Sequence, residues 1–130
     1  LMCEHLDALM SAPGGPQYRW AVAGRNRQKL EKLASNCKTS PSVVEVQDKE
    51  SMELMAEMCS VVLSAAGPYI LCGTDVVAAC VKNKTHYVDI TGELVWMKRM
   101  ISSYHEAAKE SGLMIIHCCG VMCAPEDLSL

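Results

Sequence analysis

Leu1, Met2, His5, Leu6, Leu9 and Met10 recur at helical spacing, and Ala12-Pro13-Gly14-Gly15-Pro16 ends that helix in a loop. Trp20-Ala21-Val22-Ala23-Gly24 is a short, continuously apolar run, which predicts a strand buried on both faces. Asn26 is a good helix cap, and a basic helix through Leu30, Leu33 and Ala34 follows until Asn36 to Pro41 breaks it. Val43 to Val46 predicts a second strand, Asp48 a strand-to-helix turn, and Met52, Met55, Ala56 and Cys59 the face of the next helix. Val61 to Ala66 predicts a third strand closed by Gly67-Pro68, and Val76 to Val81 a short apolar helix. His86 to Ile90 predicts a fourth strand. A long amphipathic helix then runs through Leu94, Met97, Met100, Ile101, Tyr104 and Ala108 to a stop at Gly112, and Leu113 to Cys118 predicts a fifth strand. Strands and helices alternate at intervals of roughly 20 to 25 residues, the signature of right-handed crossovers and a parallel sheet. The expected fold class is α/β, a doubly wound parallel sheet.

Composition narrows this picture without redrawing it. With 130 residues, 50% apolar and 21% charged, the chain has enough apolar side chains for one sizeable core. A net charge of -3 without any basic run argues against a nucleic-acid surface, which needs clustered Lys and Arg. The eight cysteines lie mostly inside apolar runs, which predicts reduced, buried thiols in an intracellular protein rather than a disulfide framework. The longest apolar stretches, Val61 to Cys72 and Leu113 to Ala124, are each interrupted by Gly and fall short of the roughly 20 residues that a spanning helix needs.

In an open parallel sheet, ligands collect at the carboxyl ends of the strands. There Gly24-Arg25-Asn26 joins an apolar strand to a basic helix, placing a guanidinium where a mononucleotide ribose would lie. A carboxylate at such a position suits NAD, whereas the planar fork of Arg25 suits the 2'-phosphate of NADP. The same residues also suit a plain helix start with a surface arginine. Ala65-Ala66-Gly67-Pro68-Tyr69 offers small residues at a strand end, where a phosphate or ribose can approach the backbone, although an ordinary turn with a tyrosine packed over it fits equally. Asp89 and Glu93 invite an acid-base reading, but capping and structural hydrogen bonding explain them more simply. His117, Cys118, Cys119 and Cys123 lack the paired spacing of a zinc site, so no metal is expected, and no catalytic residue can be assigned.

Three stretches taken together resemble the NADP-binding domain of the saccharopine dehydrogenase-like oxidoreductases. They are Trp20 to Asn26 with Lys29-Leu30, Val61 to Tyr69 with Gly73, and His86-Tyr87-Val88-Asp89-Ile90-Thr91-Gly92-Glu93, and the likeness runs from Trp20 to Leu128. The resemblance implies a Rossmann-like fold, NADP(H) as cofactor, and hydride transfer to or from an imine, carbonyl or enoyl substrate. It implies cofactor contacts from Gly24, Arg25, Asn26, Asp48, Ala66, Gly67, Pro68, Tyr69, Thr91 and Gly92. Members of the family open with a strand and a glycine-rich phosphate loop. The resemblance thus makes residues 1–130 a partial domain, with that strand and loop ahead of Leu1 and the substrate domain beyond Leu130.

The family commonly reads Gly-Phe-Asp-Ser near the nicotinamide, where this chain has Gly120-Val121-Met122-Cys123. That departure keeps open an alternative, a noncatalytic Rossmann-fold interaction protein at lipid droplets or membranes. The resemblance further implies a small-molecule substrate, a homodimer, an intracellular place in cytoplasm, lipid droplet or mitochondrion, and membrane or lipid-droplet association through a C-terminal part. A role in lipid or glycolipid metabolism belongs to the same set of expectations.

Overall fold

The computed structural model describes residues 2–120, and the expectations placed on Val121 to Cys123 lie outside them. The chain forms two compact units, one ending at Gln47 and one starting at Asp48.

The first unit holds α1 (Met2–Ser11), β1 (Ala21–Gly24), α2 (Arg27–Ser35) and β2 (Ser42–Glu45). β1 and β2 pair in parallel, with Ala21 beside Ser42 and Gly24 beside Glu45. Asp7 on α1 is buried and anchors the turn between α2 and β2. Its carboxylate accepts from the Lys38 and Thr39 amides at 2.8 Å each and from the Thr39 hydroxyl at 2.6 Å. The Thr39 hydroxyl in turn accepts from Trp20 Nε1 at 2.8 Å, which ties the residue before β1 to the same point. Gly15 passes so close to α1 that a Cβ there would overlap the Leu9 carbonyl oxygen, so the loop after α1 requires a glycine.

The second unit holds α3 (Lys49–Glu57), β3 (Val61–Ser64), α4 (Tyr69–Asn83), β4 (His86–Asp89), α5 (Leu94–Glu110) and β5 (Ile115–Ile116). Its strands pair in parallel in the order β3-β4-β5, with Ser64 beside Asp89 and Tyr87 beside Ile115. The core gathers Ala56, Tyr69, Val77, Ala79, Cys80, Tyr87, Trp96 and Met100, all buried. Trp96 is fully buried, and its indole N–H donates to Thr74 Oγ1 at 3.0 Å. Gly73 lets the ring lie against α4, since a Cβ there would stand 2.7 Å from Trp96 Cζ2. Thr85 closes the other end of the core, donating to the Ala56 carbonyl at 2.6 Å.

The alternation and the parallel pairing are as the pattern predicts, and four details differ. The apolar helix around Val76 to Val81 starts much earlier, at Tyr69, because Gly67-Pro68 ends the strand and Pro68 opens the helix directly. β5 shrinks to two residues because Cys118 turns to φ 62°, and the Cys119 amide donates to the Asp89 carbonyl instead of extending the ladder. Strand burial is one-sided: Val22 is buried between exposed Ala21 and Ala23, and Val61, Leu63 and Ile116 are exposed while Ser64 and Tyr87 face the core. Of the seven described cysteines, all free, only Cys37 and Cys80 are buried, whereas Cys59 and Cys119 are exposed. Among the described residues, no helix is long and apolar enough to cross a membrane.

Candidate functional site

In the first unit, the strand-end residues are Gly24, Arg25 and Asn26. Asn26 caps α2 as its sequence position predicts, with its side-chain oxygen accepting from the Lys29 amide at 3.0 Å. Arg25 is exposed at the start of this capped helix, and it has no hydrogen-bond or ion-pair partner among the described residues. Its neighbour Arg27 is instead held by Glu31 at 2.8 Å. A free guanidinium beside a helix N-terminus is a fit receptor for a phosphate, because the fork and the helix dipole act on the same anion.

In the second unit, Asp48 forms a capping box with Ser51: its carboxylate accepts from the Ser51 amide at 2.9 Å and from the Ser51 hydroxyl at 2.7 Å. Those bonds hold its carboxyl below the ordinary aspartate range. Ala66, Gly67 and Pro68 are exposed after β3, joined by a cis Gly67-Pro68 peptide. Tyr69 is buried; its hydroxyl donates to the Ser64 carbonyl at 2.9 Å and its ring centroid lies 5.4 Å from that of Trp96. Between the two readings of Tyr69, the structure has the ring packed over the turn.

The turn after β4 carries a polar frame. Asp89 is fully buried. Its side chain accepts from the Thr91 amide at 3.1 Å and the Cys118 amide at 3.3 Å, and pairs with His117 Nδ1 at 2.7 Å. Burial by itself raises the Asp89 carboxyl, but the bonds from His117 and from the Thr91 amide outweigh it, and the group titrates below an ordinary aspartate. Thr91 is buried as well, with its hydroxyl accepting from the Glu93 amide at 3.1 Å, while Gly92 is exposed with open space around it.

Glu93 stands at the N-cap position of α5, where its carbonyl accepts from the Met97 amide at 3.0 Å, but its side chain makes no bond to that helix. Its two carboxylate oxygens accept from the Tyr69 and Ile70 amides, at 2.7 and 2.8 Å, at the start of α4. The expectation of structural hydrogen bonding for Asp89 and Glu93 holds, but the helix that Glu93 serves is another one. The partnership of Asp89 with His117 was not foreseen from the sequence. Its signal lies in two polar residues at the ends of neighbouring parallel strands, facing the same side of the sheet.

Comparison with known proteins supplies the family. The saccharopine dehydrogenase NADP binding domain matches residues 9–116. The chain belongs to this family. NADP(H) is accordingly the cofactor of this saccharopine dehydrogenase-like domain. A trans-acting enoyl reductase of Mycobacterium tuberculosis is 36% identical over 135 residues, matching 100% of this chain and 31% of its own length. A lipid droplet localized protein of Caenorhabditis elegans is 38% identical over 120 residues, matching 85% of this chain and 28% of its own. The chain therefore spans about a third of the length of these curated relatives. Among solved structures, apo saccharopine dehydrogenase (L-Glu forming) from Saccharomyces cerevisiae superimposes with a TM-score of 0.77 at 17% identity, covering 95% of this chain and 26% of that one. That likeness establishes the Rossmann-like fold.

The residues present fit an anionic cofactor at Arg25, whose exposed guanidinium has no partner among the described residues. They offer less at α4, whose first amides are already taken by Glu93.

Proposed function

We propose that this domain binds NADPH for an oxidoreductase that transfers a hydride between the nicotinamide and an imine, carbonyl or enoyl group. Arg25 carries the reading: an exposed, unpartnered guanidinium between the end of β1 and the capped start of α2 suits a ribose 2'-phosphate. Arg25 and Asn26 hold that phosphate, beside Gly24, and Asp48 lies near the adenine. The exposed backbone of Ala66, Gly67 and Pro68, with Gly92, lines the path toward the nicotinamide, and buried Tyr69 and Thr91 shape it from beneath. Bound cofactor supplies the hydride, and the protein's part is to bind and orient it. The enoyl reductase relative favours an alkene conjugated to a carbonyl as the substrate class, and lipid metabolism as the setting.

Titration with NADPH and NADH of the full-length protein and of its Arg25→Asp variant tests this. NADPH should bind the variant at least about tenfold more weakly, from loss of a charge-assisted contact, while NADH binding stays within about twofold. Equal NADPH affinity in both proteins would remove the phosphate role of Arg25.

A second reading keeps the fold without hydride chemistry, as an interaction protein at lipid droplets. Val121, Met122 and Cys123, which depart from the family's usual Phe-Asp-Ser, favour it, as does the name of the nematode relative. Failure of the unaltered full-length protein to bind NADPH selects this reading.

A further inference from the structure

Asp89, Thr91 and Glu93 alternate along the turn after β4, and each reaches a different partner. Asp89 takes the Cys118 amide through its side chain and the Cys119 amide through its carbonyl, fixing the loop after β5. Its side chain also takes the Thr91 amide, and the Thr91 hydroxyl takes the Glu93 amide, which holds the turn itself. Glu93 then reaches the first two amides of α4 and so fixes the loop after β3. One continuous chain of hydrogen bonds therefore joins the three loops at the carboxyl ends of β3, β4 and β5.

The last link in this chain has a consequence for ligand binding. A helix leaves its first four amides unsatisfied, and Pro68 at the cap of α4 has no side chain to satisfy any of them. Glu93 supplies one oxygen to each of two, a charge-assisted pair at the positive end of the dipole. Cofactor phosphates use the same chemistry at helix starts elsewhere.

We propose that Glu93 is a positioning residue: its carboxylate occupies the start of α4 in place of a cofactor phosphate. It thereby holds the exposed Gly67-Pro68 turn from beneath, in the shape that the cofactor meets. The effect on cofactor affinity rests on the NADPH reading above; the occupation of the helix start does not.

Glu93→Ala and Glu93→Gln separate the two parts. Melting temperature and NADPH affinity are measured in equal concentrations of sodium chloride and of sodium formate, whose carboxylate can enter the vacated position. Glu93→Ala should melt lower and bind NADPH about tenfold more weakly in chloride, and formate should restore a substantial part of both while leaving the unaltered protein unchanged. Glu93→Gln keeps the side-chain shape and one acceptor, so it should fold and lose several-fold in affinity without responding to formate. NADPH affinity in either variant equal to that of the unaltered protein overturns the positioning role. Losses in Glu93→Ala that formate does not reverse overturn the occupation of the helix start. Should Glu93→Ala not fold, Glu93→Gln decides by its affinity. If the unaltered protein binds no NADPH, the cofactor reading falls, and recovery of the Glu93→Ala melting temperature by formate still upholds or sinks the occupation of α4.

Discussion

Asp89 sits where no water reaches it, and it stays charged because three donors converge on its side chain: His117 Nδ1 and the amides of Thr91 and Cys118. Those bonds are what a buried carboxylate requires, since an unpaired charge there would cost several kcal/mol. The native carboxyl titrates below the ordinary value of 3.8, so its contribution to stability is fully present above that value. It is lost as the pH falls through the lower native value. Urea unfolding between neutral and strongly acidic pH should therefore show a drop in midpoint below about pH 4 that is smaller in Asp89→Asn, where, of the described residues, only the other low-titrating carboxylates, Asp7 and Asp48, remain. At neutral pH that variant should be less stable by about 2 kcal/mol or more, because a neutral amide cannot serve the same donors. Asp89 stands out in the sequence as a polar residue among Tyr87, Val88 and Ile90, but its partner is 28 positions away, just past the end of β5. Local pattern identifies the oddity and says nothing of the donor that satisfies it. Asn26 is the opposite case, since its partner is three residues on and the cap is readable directly. Asn26→Ala should lower stability by about 1 kcal/mol, measured by denaturant unfolding.

Among the elements, α4 shows most plainly how packing decides what propensity leaves open. Gly73 within the helix interior, and Gly67-Pro68 ahead of it, make the apolar run from Val76 read as a shorter helix than the one that forms. The glycine is there for the neighbouring helix, because buried Trp96 on α5 fills the space its missing Cβ leaves. An alanine in an ordinary helix interior would add roughly 0.5 to 1 kcal/mol of stability. Gly73→Ala should instead destabilise by about 1 to 3 kcal/mol, because Trp96 is locked by packing and by its bond to Thr74 and cannot yield. A thermal or urea melt of the variant reads the sign directly. At its other end α4 stops on Lys84 in the left-handed region, φ 57°, where the sequence shows none of the usual glycine. The next residue, Thr85, drops into the core and binds the carbonyls of Ala56 and Cys59, which holds the turn in place. Thr85→Val should cost about 1 to 2 kcal/mol by removing the buried hydroxyl that donates to the Ala56 and Cys59 carbonyls.

For the whole molecule, the prediction is one of linkage. A cofactor that binds only the folded domain raises its stability by about 2.7 kcal/mol at a concentration of one hundred times Kd. NADPH should therefore raise the melting temperature clearly more than NADH does, and Arg25→Asp should erase the difference. Equal shifts for the two cofactors in the unaltered protein would refute the 2'-phosphate preference. The sequence by itself determined the α/β alternation, because strands between crossover helices read as short apolar runs and helices as 3.6-residue stripes. It also placed Arg25 and Asn26 at a helix start, since strand, turn and cap lie within a few residues of one another. Only the tertiary structure decided where Asp89, Glu93 and Gly73 find their partners. Each of those contacts joins residues more than twenty positions apart, and their geometry exists only once strands are in register and helices are packed.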